Sequence, residues 1–400
     1  MYSARYAVRP GKDAEERLRQ SKMKIIVICS GTYCYGEETV SLAVMSGLKE
    51  NGHTVHCLAS GWNNGEFPSQ LRVREISYTL VRLGKISKIL KFPYVWWTLN
   101  AIARLPEGIL KSLWAIRSVR PDVILCTTFE KGSMLLPFIS DTRVVYHVHA
   151  VDEKSRHLKR IVLKHGRTAL FLAVSKSIAD RLEVMGIPSE RIRVVHNGVE
   201  SIPPDALRKH SATDDCLSIG IVGQVGRWKG HEDLFHAISA LHKRGANIRL
   251  SVFGNGMSKF ADELKALAKT LQIESLINWM GFVQNRDEIY SLLDVCVVPT
   301  RTAEPFGMVA VEAGIRGIPV VATAVGGLVE IVIDQETGVL IPPSNPSALE
   351  HALLELFSNP HLRRSLGNAA RARVQRLFST RQMIEKVEHA LLTQIEQNRG

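Results

Sequence analysis

Long apolar runs are missing from this chain. A helix that crosses a bilayer needs about 18 or more consecutive apolar residues, whereas the longest candidate, Phe92 to Ala103, is short and opens on Phe92-Pro93. A secretory signal needs a charged start followed directly by a longer apolar region; Met1 to Lys24 is polar and Ile25 to Cys29 is only strand length, so no signal peptide is expected. Cysteine is scarce, with six at positions 29, 34, 57, 126, 216 and 296. They lack metal-ligand spacing and mostly fall in apolar strand-like runs, which points to buried free thiols in a reducing cytoplasm rather than disulfides. No Asp-x-Asp ends a strand in the second half and no His/Cys/Glu ligands cluster, so no metal and no other cofactor are expected. Gly-Lys-Ser/Thr is missing, which excludes a P-loop, and the lack of Gly-x-Gly-x-x-Gly argues against a nicotinamide site. With no base-reading motif, nucleic acid is not an expected partner.

What is present is the composition of a globular enzyme: 400 residues, 45% apolar and 22% charged, a length at which two domains are the default. The net charge of +12 is uneven, because residues 1–200 carry 30 Lys/Arg against 18 Asp/Glu and residues 201–400 carry 21 against 21. Residues 70–120 interleave ten basic side chains (among them Lys85, Lys88, Lys91, Arg104, Lys111 and Arg117) with Phe92, Tyr94, Trp96, Trp97 and Trp114. Basic plus aromatic points to an anionic membrane surface. The alternative is an ordinary amphipathic helix pair with its Trp residues packed inside.

Along the chain, residues 1–21 read as a polar leader. Strand-like runs near Lys22 to Ser30, His53 to Leu58, Asp122 to Cys126, Val144 to His149 and Leu170 to Val174 then alternate with helical patterns over 22–200, the signature of a parallel sheet covered on both faces. Residues 201–215, with Pro203 and Pro204, read as a hinge. The same logic restarts over 216–375, with strands near Ser218 to Gly223, Ile248 to Gly254, Ile277 to Phe282, Asp294 to Pro299 and Pro319 to Ala322. Residues 376–400 hold a helix with apolar positions Met383, Ile384, Val387, Ala390, Leu391 and Ile395 on one face. The fold class expected is α/β with two doubly wound Rossmann-like domains.

The densest signal is Glu304-Pro305-Phe306-Gly307-Met308-Val309-Ala310-Val311-Glu312-Ala313-Gly314. It follows the buried-strand pattern Val295 to Val298, and ligands of open α/β sheets bind at the carboxyl ends of strands. Pro305 fits the first turn of a new helix, which would put Glu304 in the loop and Glu312 on the helix. Backbone N–H groups of Phe306, Gly307 and Met308 at that helix start would then face an anion or a sugar hydroxyl.

The segment resembles the paired-glutamate motif of the family 4 retaining glycosyltransferases, which share the glycosyltransferase-B fold of two Rossmann-like domains facing each other across a cleft. The resemblance covers nearly the whole chain after residue 22. It implies that Glu304 binds hydroxyls of a donor sugar, that Glu312 binds the ribose of its nucleotide, and that the last helix returns to the first domain. Gly223-Gln224-Val225-Gly226-Arg227-Trp228-Lys229-Gly230 matches the family's turn with two cations for the leaving diphosphate. Lys229 fits the lysine; the arginine's usual place holds Gln224, so either Gln224 or Arg227 would take its part. Gly326-Gly327 occupies the position of the family's phosphate-side loop, whereas Gly338 fits the family as a turn residue. In the first domain, Gly31 to Thr39 resembles the loop that carries a Gly-Gly pair, with Tyr35 in place of the first glycine and Gly36 as the second. His147 and His149 lie two apart on one strand; His149, where the loop begins, is the better match to the family's histidine near the donor sugar.

The function expected is therefore metal-independent, retaining sugar transfer from a nucleotide diphosphate, UDP-sugar favoured and GDP-sugar open, to a hydroxyl of a lipid-linked or cell-envelope glycan. The protein would be cytoplasmic, with peripheral contact to the membrane. Rival expectations are a nucleotide-sugar epimerase on the same fold and a nucleotide-sugar-binding protein without turnover. A hydrolytic use of the glutamates is disfavoured, since a glycosidase needs carboxylates facing across about 5–9 Å rather than strung along one loop and helix.

Overall fold

The computed structural model describes residues 22–29, 36–62, 65–84, 92, 94–139, 143–203, 216–256 and 258–397. The expected leader 1–21, the hinge from residue 204, Tyr35 with the preceding loop, and Lys85, Lys88 and Lys91 lie outside the described residues. Two compact units result: the residues up to Asn197 together with those from Thr380 onward form the first, and Gly198–Ser379 forms the second.

The first unit holds a sheet of β1 (Lys24–Ile28), β2 (Thr54–Ser60), β3 (Ser77–Val81), β4 (Val123–Cys126), β5 (Val144–Val148), β6 (Leu170–Ala173) and β7 (Ile192–Val194). Every pairing is parallel and the order is β3-β2-β1-β4-β5-β6-β7. The chain winds one way from β1 and the other way from β4, so a crevice opens where the strand order reverses. β4, β5 and β6 are buried along their whole length, which is why they read as continuous apolar runs. Helix α1 (Gly36–Glu50) follows β1, α2 (Tyr94–Val119) connects β3 to β4, and α3 (Arg156–His165) connects β5 to β6.

The second unit repeats the plan with β8 (Leu217–Val222), β9 (Ile248–Phe253), β10 (Ile277–Gly281), β11 (Val295–Val298), β12 (Val320–Thr323) and β13 (Gly338–Ile341). They pair in parallel in the order β10-β9-β8-β11-β12-β13, with the reversal between β8 and β11. Gly338, expected in a turn, is the first residue of β13: a Cβ there would meet the Val320 carbonyl oxygen at 2.5 Å, so glycine lets the edge strand close onto β12. Helices α4 (His231–Lys243), α5 (Ser258–Thr270), α6 (Arg286–Tyr290), α7 (Met308–Ile315), α8 (Leu328–Ile331) and α9 (Pro360–Leu377) lie between and after these strands.

The last helix, α10 (Thr380–Glu396), packs on α1 and on β4, β5 and β6 of the first unit. Ile384 lies where a Cβ on Gly47 would stand, 2.2 Å away; Glu388 pairs with His53 at 2.8 Å; Gln394 donates to the Thr168 carbonyl at 2.9 Å. Phe378 still belongs to the second unit, where its ring meets Phe306 edge-on at 5.8 Å.

The basic aromatic region settles one alternative. Helix α2 turns small residues inward, Ala101, Ser112 and Ala115, and turns large ones outward: Trp96, Trp97 and Trp114 are 62%, 56% and 68% exposed. The expectation of Trp residues packed inside a helix pair is overturned, because Gly108 sits against the Arg82 carbonyl and that close approach leaves no room for an indole. No helix among the described residues is long and apolar enough to cross a membrane.

Candidate functional site

Three turns meet at the carboxyl ends of the neighbouring strands β8, β11 and β12, at the reversal point of the second sheet. The first, after β8, carries Lys229 in the short helical turn Arg227–Lys229. The second, after β11, carries Glu304. The third holds Gly326 and Gly327. The Lys229 ammonium and the Glu304 carboxylate form an ion pair of 2.7 Å, each side chain about four-fifths covered at 22% and 19% exposure. They line a small cavity with Val222, Val298, Pro299 and Gly307.

Gly326 and Gly327 sit directly on the Glu304 loop. A Cβ on Gly326 would fall 2.2 Å from the Glu304 carbonyl oxygen, and Gly326 has φ 58°; a Cβ on Gly327 would fall 2.6 Å from the Phe306 carbonyl. The Gly327 N–H donates to the Glu304 carbonyl at 2.7 Å. The Gly327 donor is thus already used, and the helix that follows, α8, has only four residues. The glycines are required because two backbones cross at contact distance, and that contact fixes where Glu304 points.

The helix carrying Glu312 also begins later than expected. Pro305 and Phe306 belong to a bend, and α7 opens at Met308 behind Gly307, whose φ is 113°. Phe306 is buried against Phe378, so its ring is part of the packing under the loop. Of the three N–H groups assigned to the helix start, only that of Met308 lies in the helix. Glu312 accepts a hydrogen bond from the Tyr290 hydroxyl at 2.9 Å and pairs with the Arg286 guanidinium at 3.2 Å. Burial and the neighbouring Glu312 hold the Tyr290 phenol well above its ordinary pKa, keeping it a donor.

Gln224 and Arg227, the candidates for the family's arginine, are not among the residues that line the cavity at the ion pair. Gln224 is exposed on its turn. The Arg227 guanidinium pairs with Glu232 at 3.1 Å and with Glu263, and stacks over the Phe260 ring at 4.7 Å, so it faces α5. Sequence reasoning missed Tyr290, Arg286 and a third cation, Arg301, whose guanidinium grips both oxygens of Asp233 at 2.7 and 2.8 Å. A signal for Tyr290 was available, since a phenol within an otherwise buried helix face needs a partner for its hydroxyl.

In the first unit, His147 lies within β5 and His149 immediately after it, their rings 4.3 Å apart. Burial pushes His147 down to about 4, and burial with the neighbouring His147 holds His149 well below the usual range, so both imidazoles are neutral at pH 7. Neither ring nitrogen of His147, nor Nε2 of His149, has a hydrogen-bond partner among the described residues. Gly36 is the first residue of α1, and among the described residues nothing lies within 4 Å of where its Cβ would be. Next to it Glu37, which sequence reasoning passed over, accepts from the Thr127 hydroxyl at 3.3 Å across the β1/β4 reversal; burial, then Glu38, raises its carboxyl to about 7. Among the described residues no group of His, Cys, Asp or Glu is placed to hold a metal ion.

The family model described as "Glycosyltransferase Family 4" matches residues 36–201, and the one described as "Glycosyl transferases group 1" matches 205–373. An uncharacterized glycosyltransferase of Methanocaldococcus jannaschii is 26% identical over 364 residues, covering 83% of this chain and 88% of the relative. A second one from the same organism is 50% identical over 200 residues, about half of each protein at 49% and 52%. The crystal structure of Anabaena HepE in complex with UDP and glucose superposes with a TM-score of 0.75 at 19% identity, covering 92% of this chain and 99% of that one, which shows the shared glycosyltransferase-B fold. A chain whose two halves match these two family models in turn, and whose paired glutamates stand at the reversal point of the second sheet, belongs to the group 1 glycosyltransferases of family 4.

Proposed function

We propose that this glycosyltransferase moves a sugar, with retention and without a metal, from a nucleotide diphosphate to a hydroxyl of a lipid-linked or cell-envelope glycan. The observation that carries the reading is the Lys229–Glu304 pair at the mouth of β8 and β11. A diphosphate arriving there takes over Lys229, whose ammonium then meets the charge that builds on the leaving group. Glu304, released from the lysine, accepts hydrogen bonds from hydroxyls of the donor sugar. Glu312, held by Tyr290 and Arg286, takes the ribose. His149 contributes a neutral hydrogen bond to the sugar, in keeping with an imidazole that burial leaves uncharged. No side chain is assigned as a nucleophile, and the acceptor attacks the face from which the nucleotide departs. A UDP-sugar is favoured over a GDP-sugar, a choice supported by the UDP held in the HepE structure of the same fold.

The acceptor class rests on α2. Trp96, Leu99, Leu110 and Trp114 stand exposed on one side of this helix, with Lys111 and Arg117 on the same helix, a pairing of indoles and cations suited to an anionic bilayer. Peripheral contact with the cytoplasmic membrane face is part of the reading.

Incubation of the protein with UDP- and GDP-sugars and a membrane-lipid extract, with products identified by mass spectrometry and anomeric configuration by NMR, tests it. A glycoside of the donor's own configuration, formed equally well in a chelator, is expected. Release of an altered nucleotide sugar with no glycoside would make the protein an epimerase. Liposome flotation tests the membrane contact: absence of any preference for anionic lipid removes it.

A further inference from the structure

We infer that Arg301 is a positioning residue that sets the register of Lys229 against Glu304, an assignment that rests on the proposed role of that pair. The paired groups lie on segments 75 residues apart, and nothing in either turn alone brings them to bonding distance. A set of links around Arg301 does. The Arg301 N–H and the Thr300 hydroxyl both donate to the Trp228 carbonyl, at 2.8 and 2.9 Å, in the residue just before Lys229. Gly230, just after Lys229, lies so close to Pro299 that an added Cβ would fall 1.9 Å from the Pro299 carbonyl oxygen. The Thr323 hydroxyl donates to the Thr300 carbonyl at 2.8 Å, which ties β12 to the same loop.

The guanidinium completes this lacing. Its Nε and Nη2 hold the two oxygens of the buried Asp233 at 2.8 and 2.7 Å, and Nη1 bonds Glu232, both in the first turn of α4. A planar fork on a carboxylate fixes direction as well as distance. Glu232 is shared with Arg227 at 3.1 Å, so the two arginines of this region bracket one carboxylate and brace the turn instead of reaching the cavity. Arg301 is not among the residues lining the cavity at Lys229. Its effect passes through the backbone, from α4 to a loop position three residues before Glu304.

The test is the kinetics of folded Arg301→Ala, Arg301→Lys, Asp233→Ala and the double variant of Arg301→Ala with Asp233→Ala, alongside calorimetric binding of UDP. Displacement of reacting groups by about an ångström costs on the order of 100-fold in rate, so Arg301→Ala is expected to lose roughly that in kcat while UDP affinity falls by less than about tenfold. Arg301→Lys, which keeps the charge and loses the fork, recovers part of kcat. The double variant is no worse than the poorer single one, since both remove one link. Wild-type kcat in folded Arg301→Ala overturns the inference, as does a double variant whose losses multiply. A loss of UDP affinity as large as the loss of kcat also overturns it, by making Arg301 a ligand contact. Should Arg301→Ala not fold, Arg301→Lys decides: wild-type kcat with an unchanged melting temperature overturns the inference, and a lowered kcat at an unchanged melting temperature supports it. Lys229→Ala and Glu304→Gln serve as controls, because wild-type turnover in both removes the proposed function itself, whereas inactivity in both with an intact Arg301→Ala removes only this inference.

Discussion

The two units share a plan and use charge in opposite ways. Each is a parallel sheet with one reversal of strand order, yet the reversal in the second unit is laced with ion pairs, Lys229 to Glu304, Arg286 to Glu312 and Arg301 to Asp233. At the corresponding place in the first unit stand Glu37, with its carboxyl raised to about 7, and two neutral histidines one strand away. At the second reversal fixed opposite charges hold a loop in place, whereas at the first the buried Lys131 ammonium donates to the Cys29 carbonyl at 2.6 Å, close enough to Glu37 to act on its carboxyl. The basic first half displays cations and indoles on α2, outside.

The largest effect that would sharpen this contrast lies in the ion pair. Lys229→Ala and Glu304→Gln should each lower kcat by roughly 10²–10³, the loss typical of one preorganised electrostatic contact in the transition state, measured as product formation under saturating donor. Next comes the pH response of the first unit. Glu37 is raised from an ordinary 4.5 to about 7 in the folded chain, so the folded state holds the extra proton between these values and its stability declines as pH rises through them, by on the order of 3 kcal/mol in all. Urea midpoints at pH 5 and 7.5 should show this decline in the wild type relative to Glu37→Gln, and parallel curves would break the contrast. His147 acts with the opposite sign, since its lowered value removes stability as pH falls below 6.5.

Gly326→Ala should follow at about 1–3 kcal/mol of stability, because a side chain at positive φ is strained and its Cβ meets the Glu304 backbone; thermal melting together with a drop in kcat checks it. The smallest effect belongs to Arg227→Ala, an exposed pair worth about 1 kcal/mol or less, with turnover near wild type. A large kinetic loss there would return Arg227 to the diphosphate.

Much of this was legible in the sequence because buried parallel strands are written as unbroken apolar runs, as in Val123 to Cys126 and Val295 to Val298. The glutamate pair was legible through the resemblance of Glu304 to Gly314 to a family motif, with Pro-Phe-Gly inside the pair, and not from the spacing of two acids alone. What escaped depends on tertiary contact. Pro305 favours a helix start, but the crossing of Gly326-Gly327 over residues 304–306 holds that backbone out of the helix until Met308. Arg227 looked free to enter the site because its partner Glu263 lies 36 residues away. The exposure of the indoles on α2 was undecidable from hydrophobicity, since the buried side of that helix is made of Ala, Gly and Ser.

Helix α10 closes the first unit with the last part of the chain. On the ribosome, Gly47, His53 and Thr168 are made early, but the partners that cover them, Ile384, Glu388 and Gln394, come only after the whole second unit has been synthesised. Domains generally fold as units in order of synthesis, and this chain reverses the order of completion: the second unit has all its parts first, and the first unit stays open along α1 and β4 to β6 until α10 arrives.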